Sequence, residues 1–377
     1  MSEVEHVIVI GGGVAGCATA YELSAAGVRV TLVEREGIGS QASGWSAGGI
    51  NPLHGIPAPL ASFALESYRL HLALWPELER LTGQKLGARR ISMALVAAND
   101  SEVVPLLELR DSFEMTDGFS AQWLEAIELR EQEPRITADI AGALLTFGNG
   151  VLDSQRLTLL LAEAARALGA TVQAGTVSAI QHADRRVTGV VMDGTPVPCD
   201  AVVIATGPWT GAAKEWLDYP LPVEPLKGEI LRMTMPGRPL PCDVVAPGIS
   251  LFARPDGQVW LASTQERRGF DREPSTWAYD TLFGNATALM PALEEATLIQ
   301  QTVCLRPVTP DDLPILGPLP GWEGAYVATG GGTKGILLAP AMARAVADLI
   351  VHGSTAIPVE MCTPSRFAAG QRGGTTS

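Results

Sequence analysis

The chain opens on a short β-branched run, His6 to Ile10, without polar alternation. Such a run predicts a parallel strand buried on both faces. Gly11 to Gly16 reads as a turn. Val14 to Ala26 then carries helical spacing, with the small residues Ala15, Ala18 and Ala25, and Gly27 stops it. Val28 to Val33 is a second apolar run, ending at Glu34. The three pieces make a βαβ unit of roughly 30 residues.

Further along, Pro57 to Leu81 has the pattern of a mostly helical segment, and Ile91 to Ala138 that of a strand followed by two or three amphipathic helices. Asp153 to Leu168 reads as a helix with Asp153 or Ser154 as its N-cap. Thr171 to Gln181, Arg186 to Met192 and Ala201 to Ala205 read as strands. Several short strands follow between Leu221 and Thr264, with a turn at Pro255-Asp256-Gly257. Trp277 to Leu289 predicts a helix, Thr297 to Leu305 and Ala325 to Thr329 predict strands, and Gly335 to Val351 predicts a final helix. The polar tail Gly370 to Ser377 is expected to fray.

No internal repeat is visible. Nucleotide-fold segments lie at the start, the middle and the end of the chain, with strand-rich material between them. This predicts two discontinuous domains, one from 1–55, 150–215 and 306–370, the other from 56–149 and 216–305, with helices contributing to both and a substrate site at their junction.

Composition narrows the function. With 377 residues the chain can bury a large core without metal or disulfide staples. A net charge of −14 disfavours nucleic acid and anionic lipid as partners. The five cysteines (Cys17, Cys199, Cys242, Cys304, Cys362) form no CxxC pair, so neither zinc nor a disulfide framework is expected. No signal peptide or membrane span is apparent, which together with the cysteine pattern predicts a cytoplasmic protein; a homo-oligomer is an open option.

Gly11-Gly12-Gly13-Val14-Ala15-Gly16 matches G-x-G-x-x-G, follows a strand and opens a helix. Gly11 permits the tight turn, Gly13 lets the backbone approach a pyrophosphate, and Gly16 lets helix and strand pack closely. The helix N-terminus offers N–H groups and a positive dipole end to phosphates, and Glu34 can accept hydrogen bonds from ribose hydroxyls. The motif alone does not separate NAD from FAD. Another α/β glycine turn is the bland alternative.

Three further stretches bear on that choice. They are Glu34-Arg35 with Gly39-Ser40-Gln41-Ala42-Ser43 and Ser46-Ala47-Gly48-Gly49-Ile50; Ala201 to Trp209; and Leu305-Arg306-Pro307 through Pro314-Ile315-Leu316-Gly317 to Gly330-Gly331-Gly332-Thr333-Lys334-Gly335-Ile336. Together they resemble the D-amino-acid oxidase superfamily of flavoproteins, and the last resembles its glycine oxidase and sarcosine oxidase branch. The likeness covers the three nucleotide-fold segments and the strand around Leu251 to Thr264; residues 60–140 match weakly.

The resemblance implies an α/β fold: an FAD-binding, Rossmann-like domain of glutathione-reductase type and a second α+β substrate domain containing an antiparallel sheet. It implies FAD as cofactor. Ser40, Ser43, Ala47, Gly48, Gly49 and Ile50 would run beneath the pyrophosphate and ribityl chain, beside Gly11, Gly13, Val14, Ala15, Gly16, Glu34 and Arg35. Val177, Thr206, Gly207 and Trp209 are assigned to the same surface. Gly331, Gly332, Thr333, Lys334, Gly335 and Ile336 would present a helix N-terminus to the flavin pyrimidine edge, where negative charge develops on reduction.

The implied reaction is oxidation of the C–N bond of a small amino acid or secondary amine. Hydride passes to flavin N5, an imine hydrolyses to an oxo acid, and O2 is the expected acceptor. An FAD-linked dehydrogenase with another acceptor, or a flavin-binding subunit of a hetero-oligomer, is the alternative. Arg306 matches the arginine that holds the substrate carboxylate, a role suited to a bidentate fork. The alternative is an ion pair with Asp311 or Asp312. Glycine oxidases carry a tyrosine at the position of Ser250 and an arginine at that of Thr333, so glycine itself is in doubt. Lys334 is expected either to direct a cation at flavin or substrate or to be solvated. Gln265 is expected to line the cavity, and His54 to face the site or be structural. Cys304 has the Cys-x-x-x-x-Thr-Pro-Asp spacing of monomeric sarcosine oxidases, where the cysteine bonds to the flavin; non-covalent FAD is the favoured reading, because of Arg306, with a link at Cys304 as the alternative.

Overall fold

The computed structural model describes residues 4–367, so the polar tail from Gly370 lies outside the described residues. Two large sheets organise the chain. The first has six strands, in the order Ile315–Pro318, Ala325–Thr329, Ala201–Ile204, His6–Ile10, Arg29–Glu34 and Thr171–Ala174, all parallel except the first pair. His6–Ile10 is central and wholly buried, as its unbroken apolar run requires. Val7 and Val9 pack into one core with the helices Val14–Ala25, Ser154–Ala167 and Gly335–Val351. Ile8 and Ile10 face the opposite core, shared with Val177–Ala183 and Arg186–Met192 of a three-stranded antiparallel sheet. The six-stranded sheet is thus covered by helices on one face and by the small antiparallel sheet on the other, a three-layer arrangement.

The second sheet has nine strands. Along its path lie Leu298–Val308, Glu224–Thr234, Gln258–Ala262, Ile249–Ala253, Asp243–Ala246, Arg89–Ala97, Gly142–Val151 and Gly49–Ile50, and Ser120–Glu125 pairs beside Gly142–Val151. It is antiparallel except where Asp243–Ala246 runs parallel to Arg89–Ala97. Its outer face packs on the helix Thr276–Leu289 through Leu231, Val259, Leu261 and Leu282.

Several expected boundaries moved. Thr171 to Gln181 is two strands, because the Gly175 N–H bonds back to the Glu34 carbonyl and the Thr176 N–H to Asp193, which sends Val177 onward into the three-stranded sheet. Gly142–Val151 was not anticipated: its glycines weaken strand propensity, and pairing on both sides holds it. Ser120–Glu125 is a strand inside a region expected to hold helices beyond its first strand. The strand expected to end at Leu305 continues to Val308, so Arg306 stands within the nine-stranded sheet and the expected 305/306 segment boundary falls mid-strand. Asp153, rather than Ser154, caps its helix, accepting the Arg156 N–H at 2.9 Å.

Candidate active site

A cavity of about 500 Å3 is lined by residues of both large sheets. At one end stands the glycine turn. Gly11 has φ +111°, and a β-carbon there would lie 2.5 Å from the Ala205 carbonyl oxygen. A β-carbon on Gly16 would lie 1.9 Å from the Gly11 carbonyl oxygen, so Gly16 serves helix–strand packing and does not itself line the cavity. The helix Val14–Ala25 begins without a side-chain cap from Gly13, and the Val14 N–H donates to Ser43 Oγ at 2.9 Å. Glu34 accepts the N–H groups of Gly12 at 2.6 Å and Glu36 at 2.7 Å, which fixes the carboxylate at the mouth of the turn. Each carboxylate oxygen retains acceptor capacity for a hydroxyl.

The neighbouring surface is built for a flat, polar, extended molecule. Ser40, Ser43, Ala47, Gly48, Gly49 and Ile50 line the same cavity. A β-carbon on Gly48 would lie 1.9 Å from the Leu152 carbonyl oxygen, so the loop touches, backbone to backbone, the segment that leads into the helix Ser154–Ala167. Val177, Thr206, Gly207 and Trp209 line the cavity beside the glycine turn. The Arg35 guanidinium lies 4.6 Å from the Trp209 ring centroid, and Trp209 stacks on Phe270 at 5.6 Å. Gly331, Gly332, Thr333, Lys334, Gly335 and Ile336 line the far wall, where the turn Gly332–Lys334 leads into the helix Gly335–Val351. Two helix starts without an N-cap side-chain bond, small side chains between them and an acid at the second strand's end fit an FAD in outline.

The nine-stranded sheet forms the other wall, and strand register decides which residues face in. Ile230 pairs with Ala262, Ala262 with Ser250 and Ser250 with Val245, and all four line the cavity. Successive side chains alternate faces, so Cys304, Arg306, Phe252 and Asp243 share that side.

Arg306 is buried, 8% exposed. Its Nη1 donates to the Thr264 carbonyl at 3.0 Å. It has no carboxylate partner among the described residues. The alternative of a structural pair does not hold: Asp311 instead pairs with Arg366 at 2.7 Å. Gly228, on the neighbouring strand, makes this placement possible, since a β-carbon there would fall 2.1–2.4 Å from the guanidinium atoms. Cys304 pairs with Gly228 in register, is buried as a free thiol and lines the cavity. Burial raises its pKa and the Arg306 charge lowers it, with burial the larger effect.

Lys334 is not a solvated helix-start lysine. Its Nζ donates to the His54 carbonyl at 2.9 Å and has no carboxylate partner among the described residues. Burial lowers its pKa to about 8. His54 lines the cavity, and burial, with the Lys334 charge, lowers its pKa to about 4, so the ring is neutral at pH 7. Ser250 lines the cavity, and Thr333 does so from an exposed position. Gln265 does not line it: one residue past Thr264 the chain turns outward and Gln265 is exposed.

Sequence reasoning missed Gly228, Asp243 and Asn149. A glycine inside a strand pattern was a usable signal for a close approach. Asp243 and Asn149 sit in stretches whose strand register was not legible. Among the described residues no group of side chains could hold a metal ion, and no helix is long and apolar enough to cross a membrane.

Comparison with known proteins places this geometry. The family described as FAD dependent oxidoreductase matches residues 6–349. The chain is 31% identical over 364 residues to glycine oxidase of Pseudomonas aeruginosa, covering 92% of this chain and 94% of that protein. It is 33% identical to glycine oxidase of Geobacillus kaustophilus, covering 94% and 95%. The crystal structure of the Geobacillus kaustophilus glycine oxidase superposes with a TM-score of 0.90 at 30% identity, covering 96% of this chain and 99% of that one.

Proposed function

Given that this chain belongs to the FAD dependent oxidoreductase family, we propose that it oxidises the C–N bond of an amino acid or secondary amine, with O2 as electron acceptor. The observation that carries this reading is the buried, carboxylate-free guanidinium of Arg306 in the wall of the cofactor cavity. One of its nitrogens is engaged by the Thr264 carbonyl, which sets the plane of the fork. The remaining N–H groups are free to receive a substrate carboxylate through two parallel bonds. Holding that carboxylate orients the substrate Cα, and orientation is a large part of what the protein contributes to such a reaction. Ser250 contributes a short side chain to the same cavity wall.

Gly11, Gly13, Val14, Ala15, Glu34, Arg35 and the loop from Ser40 to Ile50 would hold the adenosine, pyrophosphate and ribityl parts of FAD, and Gly331 to Ile336 would face the flavin. Bound FAD supplies the hydride acceptor, leaving an imine that water converts to an oxo acid. Lys334 contributes a partly neutralisable cation at the start of the last helix, on the wall that would meet the pyrimidine edge. His54 acts through its carbonyl, which positions that ammonium. The flavin is held non-covalently, because burial keeps the Cys304 thiol protonated.

The test is anaerobic mixing of the yellow holoenzyme with a panel of amino acids of both hands, N-methyl amino acids and amines, followed by admission of air. Loss of the visible flavin bands with an amino acid, and peroxide on reoxidation, is the expected result. Bleaching without peroxide moves the acceptor away from O2; no bleaching with any compound of the panel removes the proposed reaction.

A further inference from the structure

The helix Gly335–Val351 carries a proline, Pro340, near its start, and every residue from Ile336 to Ala343 is buried. A proline has no N–H to give to the carbonyl four residues back, and its ring pushes that carbonyl aside. Here the carbonyl left without its rung belongs to Ile336, a residue of the cavity wall that begins at Gly331. In a regular helix the next rung joins the Ala341 N–H to the Leu337 carbonyl. A side chain enters that rung, which is one of the recognised causes of a local bend.

Both rungs are completed from one neighbouring helix, Ala61–Thr82. Ser67 Oγ donates to the Leu337 carbonyl at 2.7 Å and accepts the Ala341 N–H at 3.1 Å. One turn on, His71 Nε2 lies 2.9 Å from the Ile336 carbonyl oxygen. A turn further, Trp75 Nε1 donates to His71 Nδ1 at 3.3 Å. Residues four apart share a helix face, so the three form a single row. Ser67 and His71 are both 0% exposed. The bonds also fix the protonation of the imidazole. A carbonyl can only accept, so Nε2 carries the proton; an indole N–H can only donate, so Nδ1 carries none. His71 is therefore neutral, in keeping with burial, which lowers its pKa to about 4.

Apolar side chains would pack this face equally well but would leave the Ile336 carbonyl unsatisfied. Ser67, His71 and Trp75 do not line the cavity themselves. They hold the start of a helix that does. A hydrogen bond accepted by a carbonyl polarises its peptide group. The Ile336 carbonyl shares its peptide group with the Leu337 N–H, in the first turn of the helix, so the bond from His71 both aims that turn and strengthens its positive end.

We infer that Ser67 and His71 are positioning residues for the flavin: by completing the two rungs at Pro340 they set the direction and polarity of the helix start that meets the pyrimidine edge, and so the preference of the protein for reduced over oxidised cofactor. This rests on the proposed placement of Gly331 to Ile336 against the flavin.

The deciding measurement is the two-electron midpoint potential of the bound flavin, taken by equilibration with a reference dye; the Kd for FAD, from titration of the apoprotein, accompanies it. His71→Leu removes the donor to Ile336, and Ser67→Ala removes both bonds of the hydroxyl. Each is expected to cut the preference for reduced flavin at least about threefold, a potential lower by roughly 14 mV at about 30 mV per tenfold. His71→Gln, which keeps an amide N–H for the same carbonyl, should restore the wild-type potential. A lower Tm with wild-type potential in both His71→Leu and Ser67→Ala would mark the row as structural and overturn the inference. So would a potential in His71→Gln as low as that of His71→Leu. Should His71→Leu not fold, Ser67→Ala decides by the same reading. Gly331→Ala disturbs the wall directly, because a β-carbon there would lie 2.7 Å from Gly335 Cα. If that variant changes neither the potential nor the Kd for FAD, it is the underlying placement of this wall against the flavin that fails.

Discussion

The guanidinium of Arg306 occupies the space that a side chain on Gly228 would fill: a β-carbon at residue 228 would lie 2.1 Å from Nη2. The two residues are on paired strands, Leu298–Val308 and Glu224–Thr234, and lie 78 positions apart in sequence. Gly228→Ala should therefore act like Arg306→Ala. Each variant is expected to raise KM for carboxylate-bearing substrates at least about tenfold, the loss of a charged hydrogen-bond pair. Visible flavin absorbance should be retained in both. Steady-state kinetics on the two variants check this; an unaltered KM in Gly228→Ala would show that the guanidinium has another place to sit.

Lys334 ties stability to pH in a definite direction. Its folded pKa, about 8, lies below its ordinary 10.5 because burial penalises the ammonium. Below pH 8 both folded and unfolded chains carry the charge, and the burial cost is fully present. Between pH 8 and 10.5 the unfolded chain binds the proton more readily, so the cost is progressively relieved as pH rises. Lys334→Met should accordingly raise Tm at pH 7, and the gain should shrink towards pH 10. Thermal unfolding of both holoenzymes at the two pH values measures this. A gain that is constant or grows with pH contradicts it.

Cys304 faces the cavity but is kept protonated by its surroundings, with burial outweighing the nearby Arg306 charge. Acid precipitation should leave the flavin in the supernatant, and Cys304→Ala should have wild-type flavin content and spectrum. Yellow pellet from the wild type, colourless from the variant, would instead establish a covalent link.

At the other end of the cavity, Gly16→Ala brings a β-carbon to within 1.9 Å of the Gly11 carbonyl. Neither atom can give way without moving the helix or the turn, since both contacts are backbone. The variant is expected to purify without its yellow colour, and titration with FAD should show at least about a tenfold weaker Kd, roughly 1.4 kcal/mol. Full occupancy at wild-type affinity would remove Gly16 from the cofactor's support.

The cofactor end was legible because its chemistry is local. Gly11, Gly13, Gly16 and Glu34 lie within one βαβ unit, and a backbone that must approach a phosphate leaves its mark as glycine at set spacing. The role expected for Gly16 in helix–strand packing matches the contact found. Arg306 was readable only through the resemblance of its surroundings. Gln265 was misjudged because alternation along the strand Gln258–Ala262 stops at its end, and the chain beyond Thr264 turns outward.

Residue order thus sufficed for the turn, the helix start and the acid that suit a dinucleotide, since each depends on neighbours within about 30 residues. Which side chains meet across the cavity depends on how strands far apart in sequence pair, and period-2 alternation cannot choose a register alone. Pairing of Glu224–Thr234 with Leu298–Val308 put Gly228 beside Arg306; pairing of Asp243–Ala246 and Gly142–Val151 with Arg89–Ala97 turned Asp243 and Asn149 into the same cavity.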